Sequence, residues 1–334
     1  MTRSRILTVA LVAVLALLAA AAWLLYGRTV SGGLEYADSD KYTVGGATVS
    51  DKVENLYVDW TAGKVNIEYH SGDGVIISEK ANRTLNDDDS LRWWLDGTTL
   101  RLRYAKPGFR ISYNLSKELT VSLPAGTVLK IADLSSTSAD LEIPSLAADE
   151  IRLASTSGSI SAVTVTGKLT ASSTSGNIAI RQGTTIGTVD LNSTSGSISC
   201  MLGANAETVT ASSTSGSISL AAAGSIETVK LGSTSGSIAP DLASVGKAGL
   251  SSFSGSVEGS ISAFHDLKIE TTSGPVNVNL PAEPGFTCTV STSSGSFGSD
   301  LALTKDGNNY TCGDGSARCS IGTASGDIRI GKAE

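Results

Sequence analysis

A six-residue string, Ser-Thr-Ser-Gly followed by Ser or Asn and then Ile, constrains the fold more than any other feature of this sequence. The string occurs five times, at a nearly constant interval of about 20 residues. Near-identical copies at a fixed spacing indicate a fold in which one structural unit stacks on the next. Including weaker later copies, the corner glycines are Gly158, Gly176, Gly196, Gly216, Gly236, Gly255, Gly274, Gly295 and Gly326.

Apolar residues alternate on both sides of each glycine, which is the period-2 pattern of a β-strand. Val189 and Leu191 precede Gly196 in this pattern, and Ile198 and Cys200 follow it. Each repeat is therefore predicted to be a strand, a Ser-Gly corner and a second strand. We interpret the glycine as a corner residue that needs a positive φ, which a residue with a Cβ rarely adopts.

One coil of about 20 residues cannot fold alone, because its few aliphatic side chains do not offset the entropy of ordering the backbone. Stacked coils add backbone ladders and cover the apolar face of their neighbours. The predicted fold class is all-β. It is a parallel β-solenoid (β-helix-like) of about ten coils of ~20 residues, preceded by one N-terminal transmembrane helix.

The N-terminal stretch, residues 6–26, carries no charge and has two arginines before it and one shortly after. A helix of this length spans the hydrocarbon core of a bilayer. A cleavable signal peptide is the alternative, because residues 19–22 offer an A-x-A cleavage site. The apolar run continues past that site to Trp23 and Tyr26 and favours an uncleaved anchor. The positive-inside rule then predicts a single-pass protein of the cell membrane with most of its chain extracytoplasmic.

The pattern divides the chain into four segments. Residues 1–28 are the transmembrane anchor, and residues 29–51 are a polar, glycine-rich stalk or linker. Residues 52–133 contain a first coil and an antiparallel hairpin excursion, whose turn is the Asp-Gly pair at residues 96–97. We expect this excursion to cap an open edge of the solenoid. Residues 134–334 form the regular solenoid with a C-terminal closing hairpin.

The closing hairpin is predicted from an irregular interval. The interval from Gly295 to Gly326 is longer than the other intervals between corner glycines, so an insertion lies between two coils. Residues 310–312 and 319–321 flank a glycine-rich turn, and we predict that they pair with each other.

Four cysteines lie in the segment predicted to be exported. Cys288 and Cys319 hold the same inward place of the repeat, so they are expected to stack in adjacent coils as small buried side chains. A bridge between Cys312 and Cys319 across the closing hairpin is the alternative. Four cysteines in a chain of 334 residues do not make a disulfide framework.

Composition excludes some function classes and argues against others. With 25 Lys and Arg against 32 Asp and Glu, the chain lacks the positive charge that binds nucleic acid. Its two histidines, His70 and His265, form no metal-binding motif. Glu207 and Glu227 hold equivalent places in adjacent repeats, as a dyad or as a product of repeat duplication. We expect no catalytic residue, no cofactor and no metal site, and therefore no enzyme.

The Ser-Thr-Ser columns carry the most repeated chemistry of the sequence. Their hydroxyls can hydrogen-bond along the stack and satisfy the backbone of the corners, which is a structural role. In a functional alternative the threonines form an outward ladder for carbohydrate. Ice binding is a weaker alternative, because the companion places do not complete Thr-x-Thr. The candidate ladder consists of Thr156, Thr174, Thr194, Thr214 and Thr234.

A basic patch is predicted beside the hairpin turn, at Arg92, Arg101 and Arg103. Alternating arginines on one face of a hairpin favour a charged outer face over a core that contains Trp93 and Trp94. The alternative is contact with anionic lipid or a wall polymer.

Several of these motifs together resemble a known family. The coil at Gly63, the strand at residues 119–124 and the serial Ser-Gly-x-Ile coils that end at residues 325–328 are similar to the bacterial putative-adhesin β-strand-repeat family, a domain of unknown function. The resemblance covers roughly residues 53–330, and the Ser-Gly-x-Ile spacing is its specific part. It implies a singly anchored surface or envelope protein without established catalytic residues, so no site is carried over. The chain departs from the family in its nearly pure Ser-Thr-Ser-Gly corners and in its cysteines.

The sequence as a whole favours a non-enzymatic, membrane-anchored envelope protein that displays a rigid β-solenoid. Its expected role is adhesion, through an envelope protein or a polysaccharide ligand. A self-assembling, bactofilin-like envelope scaffold is one alternative, because solenoids can associate through exposed strand edges. An envelope-stress regulatory protein is the other.

Overall fold

The computed structural model describes residues 36–108, 115–283 and 285–333, and these residues form an all-β structure. The predicted anchor at residues 6–26 lies outside the described residues. Within them, no helix combines the length and the apolar character needed to cross a membrane. A short 3-10 turn, Ser39–Lys41, precedes the strands.

Two compact units make up the described chain, and the division falls between Ile180 and Arg181. We refer to them as the N-terminal unit and the C-terminal unit. The strands of the N-terminal unit are β1 (Thr43–Val44), β2 (Ala47–Val49), β3 (Asn55–Trp60), β4 (Gly63–His70), β5 (Val75–Ala81), β6 (Arg92–Asp96), β7 (Thr99–Arg103), β8 (Lys117–Pro124), β9 (Leu129–Ser136), β10 (Asp140–Ser155) and β11 (Ile160–Ser173).

The division falls inside one strand, β12 (Ile178–Gln182). The strands of the C-terminal unit are β13 (Ile186–Ser193), β14 (Ile198–Leu202), β15 (Ala206–Ser213), β16 (Ile218–Ser233), β17 (Ile238–Ser252), β18 (Val257–Ile261), β19 (Phe264–Thr271), β20 (Val276–Leu280), β21 (Phe286–Thr292), β22 (Phe297–Ser299), β23 (Thr304–Asp306), β24 (Asn309–Cys312), β25 (Ala317–Thr323) and β26 (Ile328–Lys332).

Coils of the N-terminal unit stack in parallel and in register, as predicted. Leu153 of β10 has Leu134 of β9 as its partner on one side and Ala171 of β11 on the other. All three side chains are buried. A residue therefore touches its counterparts one coil earlier and one coil later, and the apolar alternation of each strand lines a common core.

The C-terminal unit repeats this arrangement with two columns of strands. In the column that precedes the corners, Val189, Val209, Val229, Ala248 and Leu267 are successive register partners. The column after the corners stacks in the same way. Each fully buried aliphatic side chain contributes about 1.5 to 3 kcal/mol. The interior is thus a set of aliphatic ladders, which confirms the parallel solenoid.

The corner glycines are needed for a different reason from the predicted one. The glycines with positive φ in the described residues include Gly63 and Gly167, but none of the nine corner glycines. A Cβ on Gly216 would instead lie 2.1 Å from the carbonyl oxygen of Gly196. Gly236 meets the oxygen of Gly216 at the same distance. Glycine is required because stacked corners approach so closely that a side chain has no room.

We predict that Gly216→Ala lowers the free energy of unfolding of the C-terminal unit by about 1 to 3 kcal/mol, as overpacking does. Gly183→Ala is the matched control, because a Cβ there meets no heavy atom within 4 Å. Thermal unfolding followed by circular dichroism measures both. Equal stability of the two variants would contradict the proposed role of the corner.

At its N-terminal end the stack does not follow chain order. β3 lies between β9 and β7, and β4 lies between β10 and β8. The strand expected at residues 119–124 is present as β8, and it continues the parallel stack instead of belonging to the excursion. The predicted hairpin is present as β6 and β7 around Gly97. With β5, which pairs antiparallel with β8, it covers the end of the stack.

The prediction of a stalk at residues 29–51 is wrong for its described C-terminal part. β1 pairs antiparallel with β6, and β2 pairs antiparallel with β5. Tyr42 and Val49 are buried. These residues join the cap because the antiparallel strands would otherwise present unpaired backbone groups at the edge.

The last coil of the sequence is likewise inserted into the stack. β25 lies between β19 and β21, and β26 lies between β20 and β22. The coil of Gly326 therefore separates the coils of Gly274 and Gly295, which were expected to be neighbours. Chain order fails here because the segment after β22 turns back over β21 before the final coil begins.

The predicted closing hairpin has different partners. Tyr310 pairs antiparallel with Lys305 of β23 on one side and with Cys288 of β21 on the other. It does not pair with residues 319–321, which lie in β25. β23 and β24 form the hairpin that covers the free edge of β21.

Lys117 is a fully buried lysine that fastens the cap of the N-terminal unit. Its Nζ lies 2.9 Å from a carboxylate oxygen of Glu79 and donates to the carbonyl oxygens of Asp89, at 2.7 Å, and Tyr104. It also sits over the rings of Trp60, at 4.9 Å, and Tyr104, at 4.1 Å. Burial lowers the pKa of Lys117, although the bond to Glu79 acts in the opposite direction. Burial also raises the pKa of Tyr104 to about 12.

The Lys117 shift makes stability depend on pH. Between its lowered pKa in the folded state and its ordinary value of 10.5, the unfolded chain binds more protons, so stability gains from rising pH. We predict that wild type gains stability over this window relative to a Lys117→Met and Glu79→Gln double variant. Tryptophan fluorescence in urea reports on this unit, which contains Trp60. The comparison is made well below the ordinary pKa of Tyr104, 10.0, where this phenol is protonated in both the folded and the unfolded chain and does not contribute. A pH-independent difference would contradict the prediction.

Candidate interaction surfaces

The first serine of the repeated string is buried, and in the strings that begin at Ser213 and Ser233 it hydrogen-bonds to the corner. The hydroxyls of Ser173 and Ser193 are buried without such a bond. Ser213 Oγ accepts from the backbone N–H of Gly216 at 2.9 Å, and Ser233 Oγ accepts from Gly236 at 2.8 Å. Where Thr323 holds the serine place, its Oγ1 accepts from the corresponding N–H at 3.0 Å. At these places the hydroxyl has the structural role predicted for it, because it satisfies a corner N–H that is buried.

We predict that Ser213→Ala costs about 1 to 3 kcal/mol of stability, because it leaves a buried N–H unpaired. Ser213→Thr should stay near wild type, because threonine holds the same place at Thr323 and keeps the bond. Urea unfolding of both variants, followed by circular dichroism, measures the difference. A Ser213→Thr variant as unstable as Ser213→Ala would show that packing, and not the hydroxyl, matters at this place.

The threonine ladder lies on the outer surface in both units. Thr156 and Thr174 of the N-terminal unit are exposed, and Thr194, Thr214 and Thr234 of the C-terminal unit are partly exposed. Successive members stand one coil apart, so each unit presents a row of hydroxyls near strand spacing. The geometry leaves these hydroxyls accessible to a ligand.

An aromatic residue that sequence reasoning missed stands in the threonine row of the C-terminal unit. Phe253 takes the threonine place between Thr234 and Thr272, as the corner hydrogen bonds show. Its side chain is 41% exposed. The signal was the string Ser-Phe-Ser-Gly at residues 252–255, which departs from the repeat at this one position. An exposed ring flanked by hydroxyls is a surface on which a sugar face can stack.

An open groove of about 620 Å³ crosses the outer face of the C-terminal unit, after the corners, and several polar side chains stand in its mostly apolar accessible lining. One row of its lining side chains is Glu258, Asn277 and Arg329, which are register partners on β18, β20 and β26. Asp241 and Asn279 belong to a second row two residues further along the strands. The groove offers carboxylate, amide and guanidinium groups side by side.

Small residues give the groove its depth, and one cation in it is already paired. A Cβ on Gly331 would lie 2.2 Å from the amide oxygen of Asn279, so glycine leaves room for the Asn279 side chain in its present position. Arg329 forms a bidentate pair with Asp300 at 3.1 and 3.2 Å. Because Asp241 and Glu258 remain in the lining, the groove is acidic and rich in hydrogen-bonding groups.

The predicted basic patch is locally compensated. Arg103 is paired with Asp59 and lies 5.0 Å from the ring of Tyr36. Arg101 lies 3.7 Å from Asp96 and packs over aromatic rings. Arg92 donates to the carbonyl oxygen of Asp87 at 2.8 Å. The arrangement matches the favoured interpretation, a charged outer face over an aromatic layer.

Of the residues weighed for catalysis, Glu207 and Glu227 stand in equivalent places on adjacent strands, as predicted. His70 bonds within its own loop, where Nδ1 accepts from the N–H of Gly72 at 3.1 Å and Nε2 lies 3.0 Å from the carbonyl oxygen of Gly74. Glu207 and Glu227 are exposed on adjacent strands. Among the described residues, no group of three or more His, Cys, Asp or Glu side chains could hold a metal ion.

Comparison with known proteins identifies the family. The Toastrack DUF4097 family matches residues 118–223 and 164–331, which together cover more than half of the chain. The chain belongs to this family. Its Toastrack region begins at β8 and includes the regular coils of both units. This confirms the resemblance indicated by the Ser-Gly-x-Ile spacing.

Several solved structures are similar to this chain at low sequence identity. A putative lipid binding protein from Parabacteroides distasonis has 12% identity and a TM-score of 0.41, with 86% of this chain and 96% of that chain covered. A putative adhesin from Bacteroides fragilis has 13% identity and a TM-score of 0.31, with 87% and 97% covered. A putative cell adhesion protein from Clostridium sporogenes has 13% identity and a TM-score of 0.24, with 88% and 100% covered. No curated protein matches the chain.

Proposed function

We propose that this Toastrack protein is a non-enzymatic envelope protein, anchored by residues 6–26, that binds an extended neutral polysaccharide on the outer surface of its C-terminal unit. The proposal rests on the polar side chains of the groove. Asn277 and Asn279 present amide groups, and Asp241 and Glu258 present carboxylates, along neighbouring strands. Sugar hydroxyls both donate and accept hydrogen bonds, so they complement such a surface.

The spacing of the coils supports a polymeric ligand. Equivalent side chains recur about 4.8 Å apart along the stack, which is close to the length of one sugar residue in an extended glycan. A chain laid across the strands therefore meets a new set of polar groups with each residue. The exposed ring of Phe253, in the threonine row before the corners, offers a second contact of the same chemistry.

The acidic lining selects among polysaccharides. Asp241 and Glu258 repel anionic polymers, and Arg329 is already paired with Asp300. Neutral glycans, or glycans that carry amino groups, fit this field better than teichoic-acid-like or uronic-acid polymers. The paired arginines of the N-terminal unit add no free basic patch that would reverse this preference.

Strand edges weigh against the scaffold alternative. In the N-terminal unit, β1 has two residues and β2 has three. In the C-terminal unit, β22 and β23 have three residues each. Short edge strands hinder strand addition between molecules. The envelope-stress alternative is favoured by no contact or site in the described residues.

We predict that a Glu258→Ala and Asn277→Ala double variant of the full-length chain in detergent binds neutral polysaccharide roughly tenfold more weakly, because at least two hydrogen bonds are lost. Glu207→Ala removes an exposed carboxylate outside the groove and is the matched control. Glycan arrays followed by co-sedimentation with insoluble glycans measure binding. Equal binding by both variants, or preference for anionic polymers, would contradict the groove. Release of reducing ends from the glycans would contradict the non-enzymatic assignment.

A further inference from the structure

Two cysteines face each other inside the C-terminal unit. Cys288 of β21 and Cys319 of β25 are register partners in parallel strands, and their Sγ atoms lie 2.8 Å apart. Both side chains are buried, with 0% and 5% of their surface exposed. Two unbonded sulfurs at this distance are closer than their van der Waals radii allow.

The strands bring the pair within range of a covalent bond. Neighbouring strands run about 4.8 Å apart, inside the range of roughly 4.4 to 6.8 Å for Cα separations found in disulfides. Because the strands are parallel and in register, both side chains point to the same interior. A small rotation of the side chains is then enough for Sγ–Sγ bonding.

The other two cysteines do not compete for this bond. Cys312 pairs with Phe286 of β21, and Phe286 pairs in turn with Ala317 of β25. Cys312 and Cys319 therefore lie on opposite sides of β21, roughly 10 Å apart in strand spacing, which is too far for a disulfide. The alternative bridge of the sequence analysis is wrong for this reason. Cys200 has Leu220 as its register partner.

We propose that Cys288 and Cys319 form a disulfide when the chain meets a disulfide oxidant, and that this bond fastens the inserted C-terminal coil. The occurrence of the bond in cells rests on the extracytoplasmic location in the proposed function. Each Sγ gives up its proton, one S–S bond forms, and two electrons pass to the disulfide of a thiol-disulfide oxidoreductase or a small-molecule disulfide, which becomes a dithiol or two thiols.

Burial sets the time at which the bond forms. The pKa of Cys319 is raised well above its ordinary value by burial and by the neighbouring Cys288, so little thiolate exists in the folded chain. Exchange needs an accessible thiolate. The bond therefore forms while β25 enters between β19 and β21, before the core has closed around the sulfurs.

The bond stabilises the fold because of the way in which β25 is inserted. β25 is inserted between two strands that precede it in the chain, so the C-terminal coil adds to both neighbours at once. Its release would expose the apolar edges of both. A bond across the loop from residue 288 to residue 319 lowers the entropy of the opened state and keeps the coil in place.

Refolding the full-length chain with a mixture of reduced and oxidised glutathione tests the proposal directly. After denaturation and alkylation without reductant, intact mass should show two alkylated cysteines of the four present, and all four after reduction. Peptide mapping should join Cys288 to Cys319. Four alkylated cysteines without reductant, or a bond to Cys200 or Cys312, would overturn the proposal.

Stability provides a second measurement with a matched control. Reductant should lower the Tm of the oxidised wild type and of Cys200→Val by roughly 5 to 10 °C, as expected for a loop of this size. It should not change the Tm of Cys288→Val, which keeps the apolar volume. A wild-type Tm that does not respond to reductant would also overturn the proposal.

The state of the bond in protein isolated from cells distinguishes a failure of this inference from a failure of the proposed function. A bond formed in glutathione but absent from protein isolated from cells would count against the extracytoplasmic location, while the inference about the pair would stand. If the bond is absent in both, the pairing itself is wrong. Loss of glycan binding while the bond is intact would contradict the proposed function of the groove and would leave the inference about the cysteine pair unaffected.

Discussion

The close approach of backbone at the stacked corners is the constraint on which the rest of this structure depends. A Cβ on Gly236 would lie 2.1 Å from the carbonyl oxygen of Gly216, so only glycine lets one coil settle on the next. With the corners in contact, both strands of each coil fall into register. The inward side chains then become ladders such as Val209 and Val229. The corner serine completes the unit, because Ser233 accepts the N–H of the glycine that the close approach buries. Glycine and serine are therefore repeated together.

The repeated coils could be predicted from the sequence, but the strands that are inserted out of chain order could not. Spacing and alternation predicted the strands, the parallel register and the buried face, because every coil packs the same pattern of side chains against its neighbours. They failed for β3 of the N-terminal unit and for β25 of the C-terminal unit, which are inserted between strands that are distant in the chain. Insertion leaves no periodic signal, since residues meet there by pairing and not by spacing. The stacking of Cys288 and Cys319 was still predictable, because both hold the same inward place of the repeat.

The residues of the candidate site likewise divide into those that the repeat predicts and those that it does not predict. The threonine row was predicted from the repeated string, whereas Phe253 was missed, although its departure from that string was the signal. The groove could not be predicted from the sequence, for a physical reason. Arg329 and Asn277 are neighbours only because the last coil is inserted beside β20. Outward positions are free to vary, because they do not contribute to the stacked core. A fold whose interior is fixed by repetition can in this way carry a surface specific to one ligand.

Pairs of spin labels at outward positions test the stacking most directly. Ser199 and Ser219 are register partners on adjacent strands, and Ala239 is the next partner in the same row. In a full-length chain whose native cysteines are replaced by valine, labels at 199 and 219 should couple strongly. Labels at 199 and 239 should report a backbone separation larger by about one strand spacing, ~4.8 Å. If the labels at 199 and 219 do not couple, or are no closer than those at 199 and 239, the in-register stack is contradicted.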